Sequence, residues 1–454
     1  MNKHLVFIFL GLVFLSSCSV QKRVEKVAGK YLLKDSALAT AHVGIALYNT
    51  AGKKFIYNHD GEKYFVPASN TKILTCYAAM KYLGDSLVGL KYETNNDGSI
   101  TIQGTGDPTF LHPDFKKQPV FYFLKNTTNH ISYLRDDFLS QFTPLGEGWN
   151  WDDYNEDYAA ERSELPVYGN VVRVNLTQDT VTVIPSYFFS YSFIWLNQEI
   201  RRRNELGAHF KIVRPFENND FHGVSRIDQP TFSKQSIPFK TRDLYNPNIG
   251  KQLFLRLLED TLHKYLPLTY MTDVAHYKLP NIIHSQPTDS LLKIMMHRSD
   301  NFFAEQTLLM VSNELLGVMS DKKIIDTLLK TDFKDLPQMP NWVDGSGLSR
   351  YNLITPQDEV KVLEKMKNNF RWNRITTIFS TGGTGTLRTR YKNYVGKIYA
   401  KTGSLSDVIA LSGFITTNKN HSYIFSVMIN NSLADETQVR DKIEKFISTV
   451  IEKF

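Results

Sequence analysis

A serine three residues before a lysine is the pattern in this chain that most directly offers proton-transfer chemistry. Ser69 and Lys72 have this spacing, and residues three apart lie on one face of a helix. A partly desolvated lysine amine can be neutral near pH 7 and accept the proton of a serine hydroxyl, which then becomes a nucleophile. The pattern alone is weak, because the chain contains four matches, which begin at Ser19, Ser69, Ser290 and Ser320.

Ser69 differs from the other three serines in its setting. Val66-Pro67-Ala68 precedes it and Ile73-Leu74 follows it, so the sequence predicts an apolar helix that opens at Pro67 and stops at Gly84. A serine at the start of a helix lies at its positive end, where a backbone N–H can face a developing oxyanion. The match at Ser290 is better explained as a core helix with an exposed lysine.

Two further short motifs each occur once. Ser299-Asp300-Asn301 lies between two helical patterns, and Lys401-Thr402-Gly403 lies at the end of a predicted strand. A lysine and a threonine hydroxyl at a strand edge can hold a carboxylate, and glycine lets the backbone approach the ligand closely. The chain therefore carries a candidate nucleophile, a candidate base and a candidate anion-binding strand.

In this order, Ser-x-x-Lys, Ser-x-Asn and Lys-Thr-Gly form the motif set of penicillin-binding proteins and class A β-lactamases. The chain resembles the D-alanyl-D-alanine carboxypeptidase/endopeptidase family of class C low-molecular-mass penicillin-binding proteins, peptidase family S13. Four further segments carry the resemblance: GTGDPT at 104–109, GWNWDD at 148–153, VDGSGLSR at 343–350 and GTGTLR at 383–388. We expect the 343–350 segment to shape a loop, with Ser346 not the nucleophile.

The resemblance implies an acyl-enzyme on Ser69. Lys72 would take the proton of Ser69 as it attacks a peptidoglycan stem peptide. Ser299 would relay a proton to the leaving amine, and Asn301 would hold the substrate amide. The enzyme would be a D-Ala-D-Ala carboxypeptidase, a DD-endopeptidase or both, with β-lactam antibiotics as covalent inhibitors. No metal or organic cofactor is implied.

The remaining expected contacts concern substrate binding. Lys401 and Thr402 would bind the terminal carboxylate, with Gly403 allowing close approach. By the same resemblance, the backbone N–H of Ser404 would complete the oxyanion hole with that of Ser69. In the tryptophan segment, the aromatic side chains would fix a loop so that Asp153 meets a cationic amine of the stem peptide, although a purely structural role for this loop is an equal alternative.

Both ends of the chain carry strand patterns. Residues 43–48 and 54–58 predict a hairpin, whereas 397–401, 408–416 and 422–429 predict strands followed by a helix at 436–453. The predicted fold is α+β, a β-lactamase/transpeptidase-like antiparallel sheet flanked by helices. Its predicted domain is split between residues 31–88 and 280–454, with residues 89–279 as an inserted region of one or two smaller β-rich subdomains.

The N-terminal sequence has the pattern of an export signal. A charged start and an apolar run at 5–15 precede Leu15-Ser16-Ser17-Cys18, which resembles a bacterial lipobox. We expect a signal peptide at 1–17, lipidation of Cys18 and a polar tether over 18–30. This places the protein on the periplasmic face of a bacterial membrane, held by its lipid. The second cysteine, Cys76, is expected to be buried.

Composition narrows the alternatives. The chain of 454 residues has 42% hydrophobic residues and a net charge of +7 that is spread along it, so neither disorder nor nucleic-acid binding is expected. Motifs of α/β-hydrolases and zinc peptidases are absent from the sequence. Two alternatives stay open: a non-catalytic surface lipoprotein that binds glycan or peptide, and a slow serine β-lactamase. A class A β-lactamase would need a deacylating Glu-x-x-Leu-Asn segment, which the sequence lacks.

Overall fold

The computed structural model describes residues 20–135, 140–177, 180–191, 198, 201–202, 209–225, 231–241, 247–270 and 279–454. The predicted signal peptide and Cys18 lie outside the described residues. Contacts divide the chain into two compact units. The first unit comprises Met1–Tyr77, Leu292–Asp300 and Ile325–Phe454, and the second comprises Ala78–Leu291 and Asn301–Ile324. The domain limits given above from the sequence stay a prediction.

The strands are β1 His42–Asn49, β2 Lys54–His59, β3 Ser86–Thr94, β4 Ile100–Gln103, β5 Ile131–Arg135, β6 Val171–Thr177, β7 Thr180–Ile184, β8 Phe210–Val213, β9 His222–Ser225, β10 Lys234–Pro238, β11 Leu268–Tyr270, β12 Asn281–Pro287, β13 Ser380–Thr381, β14 Ile398–Leu405, β15 Val408–Thr416 and β16 Ser422–Asn430. The helices are α1 at 20–28, α2 Lys72–Tyr82, α3 Pro119–Asn126, α4 Tyr187–Tyr191, α5 Pro247–Leu262, α6 Thr288–Arg298, α7 Asn301–Leu316, α8 Asp321–Lys330, α9 Pro356–Asn369, α10 Trp372–Ile378 and α11 Glu436–Lys453.

The first unit is built on one antiparallel sheet with the strand order β13-β14-β15-β16-β1-β2. The two ends of the chain meet in it, because β1 pairs with β16, with Ile45 opposite Val427. The predicted hairpin and the three predicted C-terminal strands are all present. The α+β fold with an antiparallel sheet flanked by helices is thus confirmed.

Both faces of this sheet are covered. Ile409 and Leu411 of β15 lie in the core that α11 shares, whereas Ala410 between them packs with Phe65 and Met428 on the other face. Because successive strand residues point to opposite faces, a strand covered on both sides is buried along nearly its whole length, as β15 and β16 are. Helix α11 begins at the cap of Asp435, whose carboxylate accepts the N–H of Thr437 at 2.8 Å.

The tether predicted for residues 18–30 is wrong from residue 20 onward. Residues 20–28 form α1, and Gly29–Leu33 continues as a π-helix. Val24, Ala28 and Leu32 are fully buried in the core of the first unit. Their four-residue spacing places them on one helical stripe, and burying this stripe removes apolar surface from water. The segment is therefore part of the folded unit.

The second unit is β-rich, as expected for the inserted region. It contains a five-stranded sheet in the order β11-β5-β4-β3-β12, a three-stranded sheet β10-β6-β7 and the pair β8-β9. One apolar cluster includes Ile102, Val174, Ile212 and Leu258 from these strands and from α5. Within the described ranges, no helix combines the length and hydropathy needed to span a bilayer.

Candidate active site

Ser69 lies in a tight turn that leads directly into α2. Ala68–Thr71 form a 3₁₀ turn, and the α-helix begins at Lys72. Ala68 has a φ of 48°, and Thr71 Oγ1 donates to its carbonyl at 2.9 Å. Asn70 Nδ2 donates to Ser412 Oγ of β15 at 2.7 Å, which ties the turn to the sheet. The helix start predicted from the sequence is confirmed, with a 3₁₀ first turn.

Lys72 is fully buried directly beneath this serine. Its Nζ donates to Ser69 Oγ at 2.8 Å and to the backbone carbonyl of Ser346 at 2.7 Å. The amine is thus fixed between a hydroxyl and a carbonyl, within proton-transfer distance of the hydroxyl. The structure thus places Ser69 and Lys72 in contact, as their spacing in the sequence predicts.

The loop that supplies this carbonyl is shaped by Asp344. One oxygen of the buried Asp344 carboxylate accepts the N–H of Gly347 at 2.7 Å and the side-chain amide of Asn352 at 2.8 Å. Gly347 has a φ of +83°, and a Cβ there would lie 1.9 Å from the carbonyl oxygen of Ala68. The 343–350 segment therefore shapes a loop, as expected. Motif reasoning missed the role of the Ser346 carbonyl, because no side-chain pattern marks a backbone acceptor.

The second and third motifs also meet. Lys401 in β14 is fully buried, and its Nζ donates to Ser299 Oγ at 2.8 Å and to the carbonyl of Thr402 at 2.6 Å. Burial, followed by repulsion from the cations of Lys72 and Arg440, lowers the pKa of Lys401 well below its usual value. The Lys401 amine is held at Ser299, in a bridge between the loop after α6 and the strand β14, in a setting that disfavours its charged form.

Gly403 brings the first and third motifs side by side. A Cβ at Gly403 would lie 2.6 Å from the carbonyl oxygen of Pro67 and 3.3 Å from Cβ of Ala68. Only a glycine leaves room for β14 to run this close to the turn that carries Ser69. The four side chains of Ser69, Lys72, Ser299 and Lys401 consequently lie within one unit of the protein.

Ser404 has a side-chain partner that the sequence did not reveal. Arg440 on α11 donates to Ser404 Oγ at 2.6 Å and also forms an ion pair with Glu436. From the sequence, Glu436 and Arg440 look like an ordinary surface pair four residues apart. The hydroxyl of Ser404 and the half-buried side chain of Thr402 complete the polar edge of β14.

Asn301 opens α7 in the second unit, where it connects to Asp153. Its Nδ2 donates to the carbonyl of Tyr158 at 3.0 Å, and the Tyr158 hydroxyl donates to Asp153 Oδ1 at 2.9 Å. Burial, together with the hydrogen bond to Asp153, raises the pKa of Tyr158. The structure thus links the motif asparagine to the predicted aspartate through Tyr158, a residue that no sequence pattern singled out.

The expectation that both tryptophans anchor this segment is wrong for Trp151. Its side chain is 77% exposed, and no residue of the 3₁₀ turn Trp151–Asn155 is buried. Polar contacts fix the turn instead, since Asp153 accepts from Tyr158 and from Asn150 Nδ2 at 3.3 Å. Trp149 does pack, with its ring 5.7 Å from the Arg162 guanidinium.

No metal centre emerges within the part of the chain that the structure describes, where no group of three or more His, Cys, Asp or Glu side chains could hold an ion. Cys76 is fully buried, as expected.

Comparisons with known proteins agree with this geometry. The sequence model of the D-Ala-D-Ala carboxypeptidase 3 (S13) family matches residues 25–450. The D-alanyl-D-alanine carboxypeptidase DacB of Haemophilus influenzae is 25% identical, with 88% of each chain covered. Penicillin-sensitive carboxypeptidase A of Dictyostelium discoideum is 23% identical, over 88% of this chain and 85% of the relative.

A solved structure has the same fold. The crystal structure of penicillin binding protein 4 (dacB) from Haemophilus influenzae superposes with a TM-score of 0.68 and 19% identity, covering 94% of this chain and 98% of that one. Because the family match extends over most of the sequence, the chain belongs to the D-Ala-D-Ala carboxypeptidase 3 (S13) family.

Proposed function

We propose that the protein is a serine-type D-Ala-D-Ala carboxypeptidase that acts on peptidoglycan stem peptides. The observation that carries this proposal is the Lys72 amine 2.8 Å from Ser69 Oγ at the head of a helix. Its family membership and the activities named for its relatives support the same reaction. The alternatives of a non-catalytic binding lipoprotein and of a slow β-lactamase are not favoured, because neither requires this family match.

In the proposed reaction, Ser69 Oγ attacks the carbonyl carbon of the penultimate D-alanine while its proton passes to Lys72. The tetrahedral oxyanion is held by the backbone N–H groups of Ser69 and Ser404. The C–N bond then breaks, and the proton held by Lys72 passes through the hydroxyl of Ser299 to the departing amine. Water finally attacks the ester carbon, releases the shortened peptide and returns the proton to Ser69.

Substrate binding is assigned to the edge of β14. Lys401 holds the hydroxyl of Ser299 in place, which its 2.8 Å hydrogen bond to Ser299 supports. A substrate carboxylate bound beside Lys401 would favour the protonated, charged form of this amine. Thr402, Gly403 and Ser404 receive the terminal carboxylate and the peptide backbone, and Arg440 adds charge beside Ser404. Asn301 holds the substrate amide, and Asp153 meets a side-chain amine of the stem peptide.

Replacing the nucleophile tests the mechanism. Ser69→Ala should abolish covalent labelling by fluorescent penicillin, because labelling needs the serine oxygen, while circular dichroism stays unchanged. Ser290→Ala is the matched control, since Ser290 is an exposed serine with the same spacing to a lysine, and it should label like the wild type. Undiminished labelling of Ser69→Ala would disprove the proposed nucleophile.

Digestion of purified peptidoglycan defines which bond is cut. We propose that the enzyme removes the terminal D-alanine and also opens peptide cross-links, because a cross-link contains the same D-alanyl carbonyl with a longer leaving amine. Mass spectrometry of the products distinguishes the two, since trimming lowers the mass of single stem peptides and endopeptidase action converts dimers to monomers. Products of one kind only would restrict the activity to that reaction.

The predicted lipid on Cys18 belongs to the same proposal. It would hold the enzyme at the periplasmic face of a bacterial membrane, within reach of peptidoglycan. Metabolic labelling with an alkyne fatty acid, compared between the wild type and Cys18→Ser, tests for the lipid directly.

A further inference from the structure

The first helical segment of the chain presents two opposite faces. Val24, Ala28 and Leu32 are fully buried, whereas the exposed side chains of Lys22, Lys26 and Lys30 share the same four-residue spacing. Within the α-helical residues 20–28, with 3.6 residues per turn, Lys22 and Lys26 are displaced by two residues from Val24 and Ala28 and so lie about 200° around the axis from them. Lys30 follows in the π-helical turn and is exposed as well. The lysine stripe therefore points away from the core into which the apolar stripe packs.

The exposed side of this segment is strongly cationic. Between residues 20 and 34 the sequence contains five cations and one carboxylate, Glu25, a net charge of +4. All five cations are exposed. They are Lys22, Arg23, Lys26, Lys30 and Lys34. These 15 residues thus carry +4 of the +7 formal charge of the whole chain, so the even spread of charge expected from the sequence is wrong for this segment.

The end of α11 and a neighbouring turn extend the positive charge. Lys419 Nζ donates to the backbone carbonyl of Lys453 at 2.8 Å, so the Lys419 amine lies at the C-terminal end of α11. The pKa of the Tyr31 phenol is lowered by hydrogen bonds from Lys30 and Thr449 and by the positive charges of Lys30 and Lys453. The helical segment and α11 pack into the same core. We define the basic surface as the five cations of the segment together with Lys419 and Lys453.

Two carboxylates close to this surface, besides Glu25 within it, have partners of their own. Asp35 forms an ion pair with Lys442, and Glu452 accepts the hydroxyl of Tyr394. Arg23 lies over the ring of Phe454 at 5.0 Å, which fixes its charge at the same end of the unit. The basic surface therefore keeps a clear excess of positive charge.

We propose that this basic surface binds the anionic headgroups of a phospholipid bilayer and holds the first unit against the membrane. A row of flexible amines on one helix face suits a charged plane, where each lysine contributes roughly a fivefold gain in binding. The predicted lipid on Cys18 would insert only two residues before Val20, and a single lipid signal is strengthened by an adjacent polybasic patch. The proposal does not depend on the catalytic activity.

Vesicle sedimentation of the purified, processed protein tests this surface. Partition is measured onto neutral phosphatidylcholine vesicles and onto vesicles that also contain phosphatidylglycerol, at low and at high salt. The readout is the partition coefficient on the vesicles with phosphatidylglycerol divided by that on the neutral vesicles. Any lipid anchor inserts into both membranes, so its contribution cancels in this ratio. We expect a ratio well above one that falls with added salt, as the charges are screened.

The triple variant Lys22→Gln, Lys26→Gln, Lys30→Gln should reduce this ratio by about 100-fold at low salt. Its matched control is Lys322→Gln, Lys323→Gln, Lys330→Gln, which removes three exposed lysines of α8 and should keep the wild-type ratio. Penicillin labelling should be unchanged in both, which separates this proposal from the catalytic one. A wild-type ratio near one, or equal losses in the two triple variants, would overturn the proposal.

Discussion

The two units of the protein surround their buried basic side chains with different partners. In the first unit, the fully buried amines of Lys72 and Lys401 donate to the hydroxyls of Ser69 and Ser299 and to backbone carbonyls. These acceptors are neutral oxygens. A lysine amine held against a hydroxyl can exchange a proton with it, so this arrangement permits acid–base chemistry.

In the second unit, buried cations meet carboxylates. The Arg162 guanidinium contacts Glu305 at 3.2 Å and Asp321 at 2.6 Å, and Arg214 contacts Glu161 at 3.4 Å. Arginine does not give up its proton in proteins, and its fork of donors matches carboxylate geometry. These pairs therefore specify structure. The contrast distinguishes a buried amine placed for proton transfer from a buried cation placed to fix the fold.

The largest expected effect concerns Lys72. Lys72→Met keeps the length of the side chain and removes the amine, so the rate of acylation by fluorescent penicillin should fall by roughly 10²- to 10⁴-fold. The melting temperature should change little by comparison. Lys293→Met, at the exposed lysine of the Ser290 match, is the control and should acylate normally. A loss below tenfold in Lys72→Met would mean that another group accepts the serine proton.

The structural cations should behave in the opposite way. Arg162→Met leaves the carboxylate of Glu305 buried without its cation, which should cost about 3–5 kcal/mol of unfolding free energy in the second unit. Urea denaturation followed by fluorescence measures this loss. Lys63→Met, which breaks the exposed pair with Asp60, should cost at most about 1 kcal/mol.

A double variant keeps this prediction informative. Replacing both Arg162 and Glu305 by methionine removes the orphaned charge, so it should recover much of the stability that Arg162→Met loses. If the single and double variants were equally unstable, the ion pair would not be the cause.

Buried acids offer a third, pH-dependent test in the first unit. Both side-chain oxygens of Glu359 are buried and lack a hydrogen-bond partner within the described ranges. Burial, with a smaller contribution from Asp358, raises the pKa of Glu359 well above its usual value. A raised folded-state pKa means that stability is complete in acid and is lost as the pH rises, by at most about 1.4 kcal/mol per pH unit.

Glu359→Gln does not titrate, so its thermal stability should exceed that of the wild type at pH 8, and this advantage should vanish toward pH 4. Glu364→Gln is the matched control on the same helix. Burial raises the pKa of Glu364, but hydrogen bonds from Tyr48 and Lys361 outweigh it and lower the pKa overall. This variant should be less stable than the wild type at neutral pH. If both variants were stabilised, or both destabilised, at neutral pH, the opposite pKa shifts given for Glu359 and Glu364 would be contradicted.

The smallest expected effect concerns Asp153. Asp153→Asn keeps the shape of the side chain and removes its charge, so KM for a stem peptide with a free side-chain amine should rise about two- to fivefold, as for an exposed ion pair. The KM for a peptide with that amine acetylated should change little. Asp152→Asn, at the exposed neighbour, is the control. An equal change in KM for both peptides would mean that Asp153 has a structural role and does not bind the amine.

The parts of the fold and site that local spacing determines were predictable from the sequence. Ser69 and Lys72 meet because the helical start fixes residues three apart, and the strands at both chain ends follow from their apolar patterns. By contrast, the Ser346 carbonyl, Tyr158 and Arg440 reach the site residues through tertiary packing. No local pattern encodes such contacts, since they depend on how distant segments fold together.

In the N-terminal segment, the sequence contains a helical pattern of apolar residues, but the polar residues around it led to the wrong prediction. Val24, Ala28 and Leu32 have the four-residue spacing of a buried helical stripe. The polar residues around them predicted a solvated tether instead. A stripe of three apolar residues is too short to distinguish docking from exposure until the surface that receives it is known.

The two glycines beside the serine turn have a consequence for drug resistance. A methyl group at Gly347 would lie 1.9 Å from the carbonyl oxygen of Ala68, and one at Gly403 would lie 2.6 Å from that of Pro67. A side chain added at either position would collide with the turn that carries Ser69, the proposed nucleophile, so it should impair the proposed reaction along with acylation by a β-lactam. Selection for escape from β-lactams is thereby closed off at both positions and has to act on residues farther from Ser69.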